Sequence, residues 1–150
     1  MTSHPHWEDF RLGETIELGT VVADRDEMIA FAERYDPQPF HLSDEDKPPF
    51  GGLVASGWLT AALWMRLYVD AVLGGADSRG SPGLDDLRWL LPVRPGDRLS
   101  GRMTVTGTHP SARHADRGTV LFVAEMTRGD GEAVMTMTGR GLFGRRPVHR

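Results

Sequence analysis

The chain has 150 residues, 39% hydrophobic and 25% charged, enough to bury the core of one domain. Its net charge of −4, from 17 basic and 21 acidic residues, argues against nucleic acid as a partner. There is no cysteine, which excludes disulfides, thiolate catalysis and cysteine-held zinc and fits a reducing compartment.

Residues 1–10 carry neither a basic n-region nor an apolar run, so no secretory leader is predicted and a cytoplasmic location is the default expectation. They are expected to form a poorly ordered tail. Residues 15–22 predict a strand with Ile16, Leu18 and Thr20 on one side. Asp24, followed three residues later by Glu27, reads as a capping box. The helix it opens carries Met28, Ile29, Phe31 and Ala32 and stops at Asp36-Pro37. Residues 40–47 predict one or two acidic helical turns capped by Ser43 or Asp44. Pro48-Pro49-Phe50-Gly51-Gly52 predicts a rigid and then flexible loop.

Residues 57–73 predict a second helix, apolar nearly all round over its first three turns, the pattern of a helix buried on most faces. It is too short to cross a membrane and carries Arg66 and Asp70, so no membrane span is expected. Trp58, Trp64 and Tyr68 read as core in preference to cofactor contacts. Gly74-Gly75 ends the helix. Strands follow over 84–93, 98–108, 119–128 and 133–143, with a turn at Arg94-Pro95-Gly96-Asp97 and a hairpin at Gly129-Asp130-Gly131-Glu132. Val120, Phe122, Ala124 and Met126 share one face at period two. Residues 109–118 predict a long, charged, mobile loop. One long helix and about five antiparallel strands, without repeat or second domain, predict an α+β architecture over residues 1–150.

The densest chemistry lies in Tyr35-Asp36-Pro37-Gln38-Pro39-Phe40-His41. A carboxylate and an imidazole stand five residues apart on a segment stiffened by two prolines. An acid and a base on a short, stiff tether suit proton transfer. Taken alone, the same residues also suit a turn, since Asp-Pro opens turns and Asp caps backbone N–H groups.

The run from Phe31 to Leu59, including Gly51-Gly52-Leu53-Val54-Ala55-Ser56-Gly57, resembles the signature of MaoC-like dehydratases, the hot-dog-fold (R)-specific enoyl-CoA hydratases. Asp36, Pro39 and His41 match at the same spacing, and Gly57 matches the glycine that starts the family's long helix. Gln38 stands where the family usually has Asn, and Ser56 where it often has His. The likeness continues into Ser81-Pro82-Gly83-Leu84-Asp85-Asp86-Leu87-Arg88-Trp89 and Pro92-Val93-Arg94-Pro95-Gly96-Asp97.

The resemblance implies one hot-dog domain, a curled antiparallel sheet wrapped round the long helix. It implies hydration or dehydration of an acyl thioester, with Asp36 as general base on water and His41 handling the α-carbon proton. The N–H of Gly57 would hold the thioester oxygen. No metal or redox cofactor is implied; coenzyme A or an acyl carrier arrives with the substrate. Gly57 also reads as a plain tight-turn residue. The alternatives to a hydratase are an accessory, thioester-binding hot-dog subunit, which the Gln38 departure keeps open while retention of Asp36 and His41 favours the enzyme, and a thioesterase, which this Asp–His pairing disfavours.

Other candidates weigh less. His4 and His6 have H-x-H spacing without a third ligand, so no metal site is expected. His109, His114 and His149 are expected on the surface. Ser56 lacks the G-x-S-x-G context of a nucleophile and reads as an N-cap. Arg113, Arg117, Arg145 and Arg146 suit either coenzyme A phosphates or a solvated surface. Trp89-Leu90-Leu91 in one strand, with Met135 and Met137 in another, predict an apolar outer face covered by a second copy. A homodimer or larger even-numbered homo-oligomer is therefore expected; the alternative cover is the terminal segment with Trp7 and Phe10.

Overall fold

The computed structural model describes residues 3–148. Strand β1, Thr15–Val22, leads into helix α1, Arg25–Tyr35, where Glu27 N–H donates to Asp24 Oδ2 at 2.9 Å and so caps the predicted start. A four-residue helix α2, Pro39–Leu42, and a loop lead to the long helix α3, Gly57–Ala71. Strands β2 (Leu84–Trp89), β3 (Arg98–Pro110), β4 (Arg117–Thr127) and β5 (Ala133–Gly144) complete the chain. They form one antiparallel sheet in the order β1-β3-β4-β5-β2. The sheet wraps α3, which is the expected α+β hot-dog arrangement.

Period two decides which side chains meet the helix. Leu99, Met103 and Val105 of β3 and Val120, Phe122, Ala124 and Met126 of β4 are all buried. From α3, Leu59, Trp64, Leu67 and Tyr68 turn into them, and Trp64 Nε1–H donates to Arg102 O at 3.2 Å. Helix and sheet close up on Gly101, where an added Cβ would meet Leu67 and Trp64 within 3.2 Å. Trp64 stacks on Phe122 with centroids 5.9 Å apart.

Several expectations change. Helix α3 is not buried on most faces: Trp58 is 59% and Met65 44% exposed, so Trp58 is no core residue. Met135 and Met137 point into the core, 0% and 4% exposed, because they pair with the inward-facing Met126 and Ala124 of β4; a register shift between Met126 and Thr127 turns Val134 inward as well. They leave the predicted outer patch; Trp89 and Leu90 stay in it, 44% and 49% exposed. Strand β2 stops at Trp89, short of Val93. The acidic turns predicted over 40–47 are α2 alone; Pro39 supplies its first turn and Ser43 ends it.

The predicted loop 109–118 shrinks, since β3 runs on to Pro110 and β4 begins at Arg117. Among the described residues of the opening segment, 4–10 are packed and form no loose tail. His4 and Phe10 are buried, Phe10 lies 4.5 Å from Phe143 between ring centroids, and Trp7 Nε1–H donates to Thr119 O. That segment covers the end of β4 and β5, away from Trp89. His109 and His114 are exposed as expected, and His149 lies outside the described residues.

Candidate active site

Helix α1 cannot pass Pro37, so Asp36 becomes its C-cap, with its N–H donating to Ala32 O at 2.8 Å. The chain turns at once: Gln38 N–H donates to Asp36 O and His41 N–H to Gln38 O, at 2.8 and 2.9 Å. This brings His41 Nε2 to 3.2 Å from Asp36 Oδ2. The five-residue tether thus closes on itself and joins the two predicted residues.

The far side of the imidazole is held as firmly. Val54 N–H donates to Phe40 O at 3.0 Å, and Val54 O lies 2.7 Å from His41 Nδ1. A carbonyl oxygen only accepts, so Nδ1 carries a proton. The imidazole Nε2 faces Asp36 Oδ2 across the 3.2 Å contact. Phe40 packs edge-on to the His41 ring at 4.6 Å, which keeps the imidazole in place and largely dry.

Two further donors hold Asp36. Gln38 Nε2 donates to Oδ1 at 2.6 Å and Ser56 Oγ to Oδ2 at 2.8 Å. The Gln38 amide, the Ser56 hydroxyl and the neighbouring imidazole together hold the carboxyl below the usual carboxylate range, against the opposing effect of partial burial. Ser56 does occupy the N-cap position of α3, yet its side chain makes no capping bond. Sequence reasoning missed its contact with Asp36. The two residues lie twenty apart, and nothing local links them.

Gly57 opens α3 with an ordinary negative φ, so it is not needed as a tight-turn residue. It is needed for close approach, and the group that approaches is the indole of Trp89: a Cβ at Gly57 would overlap that ring. Its N–H is among the first of the helix, which have no acceptor inside it and carry the positive end of the dipole.

A cavity of about 290 Å³ opens here, lined by His41, Gly57 and Thr60 with Phe40, Trp89 and Leu91 among its apolar walls. Asp36 does not line it; the pair presents the imidazole to the cavity, while the Asp36 side chain keeps 20% of its surface exposed. A second, mostly apolar cavity of about 400 Å³ lies further along α3, between Ala61, Met65 and Tyr68 and residues Leu84, Met137 and Phe143 of the sheet.

The remaining candidates lie elsewhere. His4 Nε2 pairs with Glu14 at 3.0 Å. Among the described residues no group of three His, Cys, Asp or Glu side chains is placed to hold a metal ion. Arg145 lies over the Trp7 ring and near Glu8, and Arg146 pairs with Asp9, all far along the chain from Asp36. Arg117 pairs with Asp116 at 3.0 Å. No described helix is long and apolar enough to cross a membrane.

With this geometry in view, likenesses to known proteins gain meaning. The crystal structure of a MaoC-like dehydratase from Rhodospirillum rubrum superimposes with a TM-score of 0.87 at 37% identity, covering 97% of this chain and 100% of that one. An (R)-specific enoyl-CoA hydratase from the same species is 27% identical over 142 residues, 91% of this chain and 94% of the relative. A 3-hydroxybutyryl-CoA dehydratase from Methylorubrum extorquens is 31% identical over 137 residues, 87% of this chain and 82% of the relative. The sequence profile described as MaoC like domain matches residues 9–125, which takes in the Asp36–His41 turn, the start of α3 and most of the sheet, and the chain belongs to that family.

Proposed function

We propose that the chain is an (R)-specific 2-enoyl thioester hydratase, or the 3-hydroxyacyl dehydratase that is its reverse. The observation that carries this reading is the Asp36–His41 contact at 3.2 Å, with the His41 imidazole and the N-terminus of α3 both on one cavity. The thioester carbonyl lies at the Gly57 N–H, where charge that develops on oxygen is stabilised. Asp36 takes a proton from water as its oxygen bonds to C3. The π electrons move toward the carbonyl oxygen, and His41, entering the step protonated at Nε2, delivers that proton to the α-carbon. Passage of the proton from Asp36 back to His41 restores the pair, so one water is added and nothing else is consumed.

The acyl chain follows α3 toward the second cavity, whose walls are almost wholly apolar. The substrate brings coenzyme A or an acyl carrier with it, and no metal takes part. Ser56 offers no thioesterase nucleophile, because its hydroxyl donates to Asp36 and His41 faces the carboxylate, not the hydroxyl. A panel of 2-enoyl-CoA chain lengths tests the reading. Loss of the conjugated double bond without release of free thiol is expected; thiol release at a matching rate overturns it.

A further inference from the structure

Asp36 accepts at most four hydrogen bonds, about two on each carboxylate oxygen. Oδ2 accepts from Ser56 Oγ at 2.8 Å and is closed on its other side by His41 Nε2, an ion-pair contact at 3.2 Å. Oδ1 takes one bond from Gln38 Nε2 at 2.6 Å. One acceptor position therefore remains, and it is on Oδ1. The Ser56 side chain is fully buried at 0% exposure, so its hydroxyl has no bulk water to turn to. It is also unused by the helix whose N-cap position it occupies.

We propose that Ser56 is a positioning residue that acts through Asp36: its buried hydroxyl, with His41, saturates Oδ2 and so directs the reacting water to the single open position on Oδ1. The proposal rests on the hydratase reading for the identity of that water. In the hydration step the water O–H bond breaks as its oxygen bonds to C3, and the proton goes to Oδ1. His41, held on Oδ2, delivers the other proton to the α-carbon. The two proton movements thus use different oxygens of one carboxylate and do not compete for a site. Gln38 shares the task from the other side, but it is exposed and its amide has water as an alternative partner. Ser56 has none, which makes it the member whose loss Asp36 feels.

The Ser56→Ala variant of the full chain tests this, because it removes the hydroxyl without removing a helix cap. With one donor gone, the Asp36 carboxyl should titrate at higher pH, read from its side-chain carbon resonance without substrate. The acid limb of kcat/KM should move up with it. kcat should fall roughly ten- to a hundredfold, as for loss of a hydrogen bond to a charged group, with KM little changed. Ser56→Thr keeps the hydroxyl and is expected to keep the Asp36 titration in place. An unmoved Asp36 titration in Ser56→Ala overturns the proposal, and so does a fall in activity confined to KM. Failure of the reaction itself reads differently: wild-type protein that hydrates no enoyl thioester overturns the hydratase reading, whatever Asp36 does in the resonance experiment.

Discussion

Asp36 is the residue on which most contacts of the site converge, and its substitution is the most direct check. Asp36→Asn keeps the size and removes the base; turnover should fall by about 10²–10⁴, with the fold retained. His41→Ala should fall comparably, and the double variant should lose less than the product of the two if the pair acts as one unit. Full turnover in Asp36→Asn would leave the segment as a turn and nothing more. The pH dependence follows from the same contacts. Gln38 first, then Ser56 and His41, hold Asp36 below its ordinary pKa. Its folded value thus lies below its unfolded value of about 3.9. Ionised Asp36 contributes stability that is present above that pH and lost as pH falls through the folded value. Acid titration followed by circular dichroism should show Asp36→Asn losing less stability than wild type over that window. The Asp–His pairing was legible in the residues themselves, since two prolines leave the tether few shapes. Ser56 was not, because its partner is set by where α3 docks.

At the scale of elements, α3 and β2 meet at Gly57, where the Trp89 indole lies against the helix backbone. Gly57→Ala inserts a methyl into that ring, so Trp89 must move. The cost should be about 1–3 kcal/mol by chemical denaturation. Trp89→Ala in the same background should recover most of it, and an unchanged midpoint for Gly57→Ala alone would contradict the packing. Further along α3, the buried Tyr68 hydroxyl has no hydrogen-bond partner among the described residues, and burial pushes its pKa up. Removing an unpartnered buried hydroxyl relieves a desolvation cost, so Tyr68→Phe should be as stable as wild type or gain up to about 1 kcal/mol. A loss beyond that would mean the hydroxyl has a partner, such as ordered water. The apolar run of α3 was read correctly as a helix and incorrectly as an enclosed one, because hydropathy does not say whether the cover comes from the same chain.

For the whole molecule, that missing cover is the main question. Strand β2 is an edge strand, and Leu84, Trp89 and Leu90 on or beside it are 50%, 44% and 49% exposed. Trp58 and Met65 extend the exposed apolar surface onto α3. An unpaired edge next to such a surface invites a second strand and a second helix. The N-terminal segment does not supply them, since Trp7 and Phe10 pack at the other end of β5. We therefore propose a homodimer as the minimal active unit, assembled along β2 and α3, with the 290 Å³ cavity near its boundary. Sedimentation equilibrium at micromolar concentration should give twice the 16.6 kDa of one chain, and an active species at the single mass would refute it. Leu84→Lys should weaken the dimer while leaving the fold of each chain intact.

The sequence by itself determined whatever depends on neighbours along the chain. Asp24 starts α1, Pro37 stops it, period two in Val120 to Met126 sets which face of β4 is inward, and the spacing of Asp36 and His41 puts them within reach. Those are short-range effects of dihedral restriction and side-chain alternation, and they survive in any context. The tertiary structure decided the rest. The docking of α3 turned Ser56 from a cap into a partner of Asp36, and brought Trp89 onto Gly57. Pairing with β4 decided which face of β5 is inward, setting Met135 and Met137 against Met126 and Ala124, and a register shift beside Thr127 turned Val134 inward next to Met135, which no alternation rule anticipates.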